Sequence, residues 1–143
     1  MANGNVHPAA RYLKAVAIVL VLSGGELAPV SSAGAQSAKQ IGWCNGDDHA
    51  TPELMISGCT ALIQSKKYSG RNLAVAYTNR GSAYDDERDE DQAIADHNQA
   101  IQLDPKFGLA YRNRGNAKRR KGDFDGAVAD FNRAMELGVN FNN

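Results

Sequence analysis

The feature that most constrains this chain is a segment that occurs twice. The pattern Tyr-x-Asn-Arg-Gly-x-Ala begins at Tyr77 and again at Tyr111, and Ala-x-Ala-Asp begins at Ala93 and again at Ala127. A fixed period of this length is typical of chains that stack one structural unit on the next. We call the separation between Tyr77 and Tyr111 the repeat offset. Identical pairs that share it include Asn79/Asn113, Arg80/Arg114, Gly81/Gly115, Ala83/Ala117, Ala93/Ala127, Asp96/Asp130, Ala100/Ala134 and Leu103/Leu137.

Each unit contains two amphipathic stretches with the spacing of a helix. Asp89 and Asp123 precede the second stretch of their units and are predicted to cap its N-terminus. Gly81 and Gly115 recur inside the first stretch, where glycine costs roughly 1 kcal/mol relative to alanine, so we expect close helix packing there. The predicted helices are Leu73–Asp86 and Glu90–Leu103 in the first unit, and Phe107–Lys121 and Phe124–Leu137 in the second.

These residues resemble the tetratricopeptide repeat (TPR), which has a period of about 34 residues and the pattern W-x₂-L-G-x₂-Y…A-x₃-F…P. The residues that match it are Tyr77, Gly81, Tyr84, Ala93 and Pro105 in the first unit, and Tyr111, Gly115, Ala127 and Phe131 in the second. Arg80 and Arg114 stand where leucine is usual, and His97 stands where phenylalanine is usual. The resemblance implies an all-α fold, a short solenoid of antiparallel helix pairs, with repeats at residues 73–107 and 108–141.

The N-terminal residues 1–35 have the composition of a secretory signal peptide. Arg11 and Lys14 precede the apolar run Ala15–Leu22, and Ala33-Gly34-Ala35 offers a small-residue cleavage site. The run is shorter than the ~20 apolar residues of a membrane span. We therefore predict a periplasmic or secreted protein that begins near Gln36 and has no stable membrane span, the alternatives being an uncleaved anchor or a misassigned start.

Residues 36–72 are predicted to hold a degenerate half repeat. Thr51-Pro52 is a good helix start, and the helix from Pro52 to about Ser65 aligns with the second helix of a repeat when Glu53 is set against Asp91. We call this alignment the half-repeat register. In this register Cys59 corresponds to His97. No first helix of the repeat is expected before the helix that starts at Pro52. A Trp43-Cys44 and Cys59 segment ahead of such repeats resembles small exported TPR proteins of alphaproteobacteria.

Cys44 and Cys59 are the chain's two cysteines. In an oxidising compartment an even number of cysteines favours a disulfide. By closing the loop between the two cysteines, it would stabilise the folded state by roughly 3 kcal/mol. A metal site with His49 and His97 is the alternative, but the spacing fits no common zinc pattern. A catalytic Cys–His pair lacks a base placed beside either sulfur, so we expect no metal, no cofactor and no enzyme activity.

Charge is patterned although the 16 basic and 16 acidic side chains balance. Zero net charge argues against a nucleic-acid binder. An acidic block, Asp85–Asp91, and a basic block, Arg112–Lys121, occupy similar places in successive units, so we expect them to attract across the stack. The repeated Arg80 and Arg114 are expected to pair with Asp96 and Asp130.

The TPR resemblance implies a protein-interaction module whose concave face is lined by the first helix of each repeat. The partner is predicted to be a protein or peptide, with an acidic segment or C-terminus favoured by Arg112 and Arg119. Self-association through the uncovered last helix is the alternative. The residues nominated for this face are Thr78, Asn79, Ser82, Arg112, Asn113, Asn116 and Arg119.

Overall fold

A computed structural model of the chain describes residues 32–47 and 49–141. The described residues form six helices and no strand: α1 Ser32–Cys44, α2 Pro52–Gln64, α3 Gly70–Asp86, α4 Glu90–Leu103, α5 Gly108–Arg120 and α6 Phe124–Glu136. Residues 1–31 of the predicted signal peptide lie outside this part. No described helix is long and apolar enough to cross a membrane.

The helices form three antiparallel hairpins, α1–α2, α3–α4 and α5–α6, stacked in chain order. Each first helix also contacts the first helix of the next hairpin, so α1 touches α3 and α3 touches α5. The all-α fold and the short solenoid are therefore confirmed. Small residues buried at the helix contacts include Ala74, Ala83, Ala93, Ala100, Ala110, Ala117, Ala127 and Ala134.

The sequence-based expectation that no helix precedes α2 is wrong, because α1 packs against both α2 and α3. Gly58 explains how α1 can lie so close: a Cβ atom there would come within 2.7 Å of the Gln40 carbonyl oxygen and 2.9 Å of the Trp43 Cβ. The degenerate half repeat is thus a complete hairpin whose first helix lacks the repeat's residue pattern.

The ends of the predicted helices agree with their local chemistry. The Oδ1 atoms of Asp89 and Asp123 accept hydrogen bonds from the backbone N–H groups of Gln92 (3.1 Å) and Gly126 (2.9 Å), which confirms both as N-caps. Gly122 and Gly138 end their helices with φ of +84° and +85°, a conformation that glycine adopts at little cost.

The two repeated glycines accept the side chain that faces them from the second helix. A Cβ atom on Gly81 would lie 2.7 Å from the His97 ring, and one on Gly115 would lie 2.6 Å from the Phe131 ring. The ring of His97 is fully buried. The packing role expected for Gly81 and Gly115 is therefore confirmed.

The first hairpin uses a covalent bond at the corresponding place. The Sγ atoms of Cys44 and Cys59 are 2.11 Å apart and the Cα atoms 4.6 Å apart, so the pair is a disulfide. Cys59 occupies the position of His97, as the half-repeat register predicts. The bond joins the end of α1 to the middle of α2 and is buried against Ala76 of α3.

Candidate functional site

The repeated arginines form buried ion pairs within their own hairpins. Arg80 donates from Nε and Nη2 to the two carboxylate oxygens of Asp96, both at 2.7 Å. Arg114 binds Asp130 in the same way at 2.8 and 2.6 Å. The predicted pairing is confirmed, and its within-hairpin geometry is bidentate, the arrangement in which arginine binds carboxylates best.

Each of these arginines also reaches back to the preceding hairpin. The Nη1 atom of Arg80 donates to Oγ1 of Thr60 on α2 at 3.0 Å, and Nη1 of Arg114 donates to Oδ1 of Asn98 on α4 at 2.6 Å. Thr60 and Asn98 correspond to each other in the half-repeat register. One guanidinium therefore holds three helices, which explains why arginine replaces the usual leucine in both units.

Charge compensation keeps the Asp130 carboxylate ionised. Burial alone would raise the pKa of Asp130, but the hydrogen bonds from Arg114 and Lys118 outweigh it and lower the pKa from its ordinary value. The hydrogen bond to Asp96 likewise raises the pKa of Arg80. Asp96 and Asp130 are only 5% and 4% exposed.

A ladder of polar side chains joins the first helices of successive hairpins. Asn79 donates from Nδ2 to the carbonyl oxygen of Cys44 on α1 at 3.0 Å, and Asn113 donates to Oγ of Ser82 on α3 at 3.0 Å. The Ser82 hydroxyl in turn donates to the Thr78 carbonyl oxygen at 3.0 Å. These contacts fix the stacking of α1, α3 and α5.

This ladder corrects the predicted site. Thr78 is only 4% exposed, so its side chain is out of reach of a ligand. Three further nominated side chains are partly buried and form hydrogen bonds with a neighbouring helix: Asn79, Ser82 and Asn113. The residue types that the sequence nominated for contact with a ligand serve the scaffold at these four positions.

The basic side chains of the block at Arg112–Lys121 fall into two groups, those that pair with a carboxylate of the protein and those that do not. Arg120 contacts Asp85 and also lies 3.5 Å from Glu90, and Lys121 contacts Asp91. The predicted attraction between the acidic and basic blocks is therefore confirmed. Arg114 and Lys118 share Asp130.

Arg112 and Arg119 are the remaining two of these six cations, and neither pairs with a carboxylate among the described residues. They are seven residues apart on α5, with Asn116 between them, so all three lie along one face of the helix. This face has the uncompensated positive charge of the basic block.

A cavity of about 360 Å³ opens beside Arg112 and Asn116. Its other walls are largely apolar, and its lining residues are Arg112, Asn116, Phe131, Met135, Asn140 and Phe141. Phe141 follows α6 and packs edge-on against Phe131, with ring centroids 5.7 Å apart. The arrangement offers a cation and an amide next to an apolar wall, a combination suited to a carboxylate with an apolar neighbour.

The apolar half of this cavity was not predicted from the sequence. The chain from Leu137 to Phe141 has no helical period from which its contacts could be predicted. The repeat offset could have indicated that Phe141 packs against the hairpin, because Phe141 corresponds to Phe107, which is buried at the start of α5.

No group of three potential metal ligands occurs among the described residues. Cys44 and Cys59 have their sulfurs within bonding distance of each other. The ring of His97 faces Gly81, with the Asp85 carboxylate 3.8 Å from Nε2.

The repeats match known family models. One model described as "Tetratricopeptide repeat" matches residues 74–107, and a second with the same description matches residues 110–137. The α3–α4 and α5–α6 hairpins are tetratricopeptide repeats. TPR units are interaction scaffolds and are not typically enzymes. No curated protein sequence matches the chain at significant similarity.

Solved TPR structures resemble most of this chain. The second TPR of Spaghetti (RPAP3) bound to the HSP90 peptide SRMEEVD is 25% identical, with a TM-score of 0.60, and the match covers 75% of this chain and 87% of that one. The first TPR of the same protein with the same peptide is 26% identical, with a TM-score of 0.63, covering 73% and 84%. The Arabidopsis OM64 TPR domain is 25% identical, with a TM-score of 0.61, covering 73% and 81%.

Proposed function

We propose that this TPR protein binds an acidic peptide segment or C-terminus on the face of α5 that carries Arg112, Asn116 and Arg119. The observation that carries the proposal is the charge pairing of the basic block. Four of its six cations bind carboxylates of the protein itself, whereas Arg112 and Arg119 do not pair within the described residues. Arg112 is partly exposed and Arg119 is exposed. Arginines on one helix face are well suited to bind carboxylates bidentately.

The cavity next to Arg112 defines the ligand further. A carboxylate bound by Arg112 and Asn116 would place a neighbouring side chain against Phe131, Met135 and Phe141. A ligand with an apolar residue next to an acidic one therefore fits best. The peptide SRMEEVD bound by both Spaghetti TPRs has this composition, with acidic residues beside methionine and valine.

The test measures the anisotropy of fluorescently labelled SRMEEVD with the mature chain. The double variant Arg112→Glu/Arg119→Glu is expected to weaken binding at least tenfold. Binding to the parent should also fall as salt rises, because exposed charges are screened beyond about 8–10 Å at physiological ionic strength. The control Lys66→Glu/Lys67→Glu makes the same change in net charge at two exposed positions that follow α2, away from α5, and should bind normally.

Equal binding of SRMEEVD by the parent and by the α5 variant would contradict this site. Loss of binding by the control variant to the same degree would mean that net charge, and not the α5 face, attracts the peptide. Circular dichroism of each variant shows whether the helices are retained.

We also propose that the protein works in the cell envelope. The predicted signal peptide at residues 1–35 and the Cys44–Cys59 disulfide support this, since disulfides persist in oxidising compartments. The resemblance to small exported TPR proteins of alphaproteobacteria agrees with it. N-terminal sequencing of exported protein should find a start within a few residues of Gln36, and an intact residue 1 would refute cleavage.

A further inference from the structure

The outer face of α6 exposes three large apolar side chains. Phe124 is 65% exposed, Val128 57% and Met135 53%. Their spacing of four and seven residues puts them in one stripe along the helix. Exposed apolar side chains that lie together on one face commonly mark an interaction surface.

This face repeats the surface on α4 that receives α5. At the repeat offset, Asp125, Val128, Asn132 and Met135 of α6 correspond to Asp91, Ile94, Asn98 and Ile101 of α4. We call these four α6 residues the α6 seat. Ile94 and Ile101 are half-buried, whereas Val128 and Met135 are exposed.

The contacts of α5 on α4 show what such a surface binds. Ile101 packs against the cluster that contains Phe107 and Ala110. Arg114 donates to Asn98, and Lys121 contacts Asp91. The residue numbers rise along α5 while they fall along α4, so the two helices run antiparallel. The occupant thus brings a small apolar face and two cations seven residues apart.

We infer that the α6 seat binds a basic amphipathic helix of a partner protein, antiparallel to α6. One cation of that helix reaches Asn132, a second cation seven residues later reaches Asp125, and its small apolar side chains cover Val128 and Met135. The apolar stripe supplies most of the affinity, because exposed ion pairs contribute little. The two polar contacts set the direction and register of the bound helix.

Charge argues against a second copy of α6 as the occupant. The seat includes Asp125, and Glu136 follows Met135 directly, while Arg133, the one basic residue of α6, bonds Glu136. A second α6 therefore brings no free cation to Asp125. The faces of α3 and α5 that carry the required arginines are already covered by α2 and α4.

The experiment uses a labelled synthetic peptide with the sequence of residues 107–121, which contains α5. In the intact protein the surface of α4 is filled by its own α5, so binding in trans reports on α6. The protein variant Asp125→Lys/Val128→Lys is expected to bind this peptide at least tenfold more weakly. The control Asp86→Lys/Ala129→Lys makes the same change in net charge at exposed positions outside the seat and should bind like the parent.

Met135 belongs to the seat and also lines the cavity beside Arg112, so two further arms separate the seat from the α5 face. A peptide carrying Arg114→Glu and Lys121→Glu should lose binding to the parent. The protein variant Arg112→Glu/Arg119→Glu should keep binding the basic peptide while it loses SRMEEVD.

Three outcomes would overturn the inference. The first is an absence of binding by the parent, and the second is equal binding by the parent and the seat variant. The third is a parent that sediments as a dimer and becomes a monomer in the seat variant, which would make a second copy the occupant.

Discussion

The first hairpin and the two TPR hairpins solve the same packing problem by different chemistry. In α3–α4 and α5–α6 a glycine accepts a ring, and an Arg–Asp pair locks the two helices together. In α1–α2 the disulfide stands where the glycine and the ring would be, and the close approach depends on Gly58 of the second helix. A hairpin can therefore keep its place in the array after losing the repeat's residue pattern, if another contact holds its two helices together.

The largest expected effect comes from breaking an ion pair in a TPR hairpin. Asp96→Ala leaves the half-buried Arg80 without its carboxylate and should lower the free energy of unfolding by about 3–5 kcal/mol. Urea unfolding monitored by circular dichroism measures it. The double variant Arg80→Met/Asp96→Ala removes both charges and should recover much of the loss.

A coupling energy near zero in this double-mutant cycle would mean that Arg80 and Asp96 stabilise the hairpin independently. The same cycle on Arg114 and Asp130 is the internal replicate, since that pair has the same bidentate geometry as the first.

The second effect tests the first hairpin alone. Removing the disulfide with Cys44→Ala/Cys59→Ala should lower the free energy of unfolding by about 2–4 kcal/mol. Because the bond lies within α1–α2, hydrogen exchange should quicken there and stay slow in α5–α6. Equal acceleration of hydrogen exchange in all three hairpins would show that the array opens as one unit. The disulfide would then not stabilise the first hairpin separately from the other two.

The smallest effect compares two glycines. In Gly58→Ala the new methyl group meets backbone atoms of α1, the Gln40 oxygen at 2.7 Å and the Cys44 nitrogen at 3.0 Å. In Gly115→Ala the nearest atoms belong to the ring of Phe131, which is partly exposed and can move, and the Ala127 carbonyl oxygen lies farther away at 3.2 Å. We expect a cost of about 2–3 kcal/mol for Gly58→Ala and about 1 kcal/mol for Gly115→Ala. Thermal unfolding of the two variants side by side gives the order, and the reverse order would mean that α1 yields more easily than the ring.

The repeat period predicted most of the fold because it fixed several levels of structure at once. It located four helices, and the Arg–Asp pairs followed from two residue types that recur together in each unit. The first helix was missed because Ser32–Cys44 is rich in small and polar residues and overlaps the predicted signal peptide. Nothing in that composition separates a packed helix from a cleavage region.

The site was harder to predict for a physical reason. The position of a residue within a repeat shows on which face of the helix it lies. It does not show whether its side chain forms a hydrogen bond with the next helix or remains available to a ligand. Asn113 and Asn116 have the same side chain on one helix, yet Asn113 bonds Ser82 and Asn116 lines the cavity.

The arginine that spans three helices limits how the repeats can be exchanged. A unit with leucine at the position of Arg114 could not replace α5–α6 without leaving the side-chain oxygen of Asn98 without this hydrogen bond. A unit that carries the arginine would likewise lack a hydrogen bond if the preceding hairpin had no acceptor at the position of Thr60 or Asn98. Transplanting one of these units into a different array would therefore require moving a side chain from the preceding helix with it, so the portable module extends from α4 to α6.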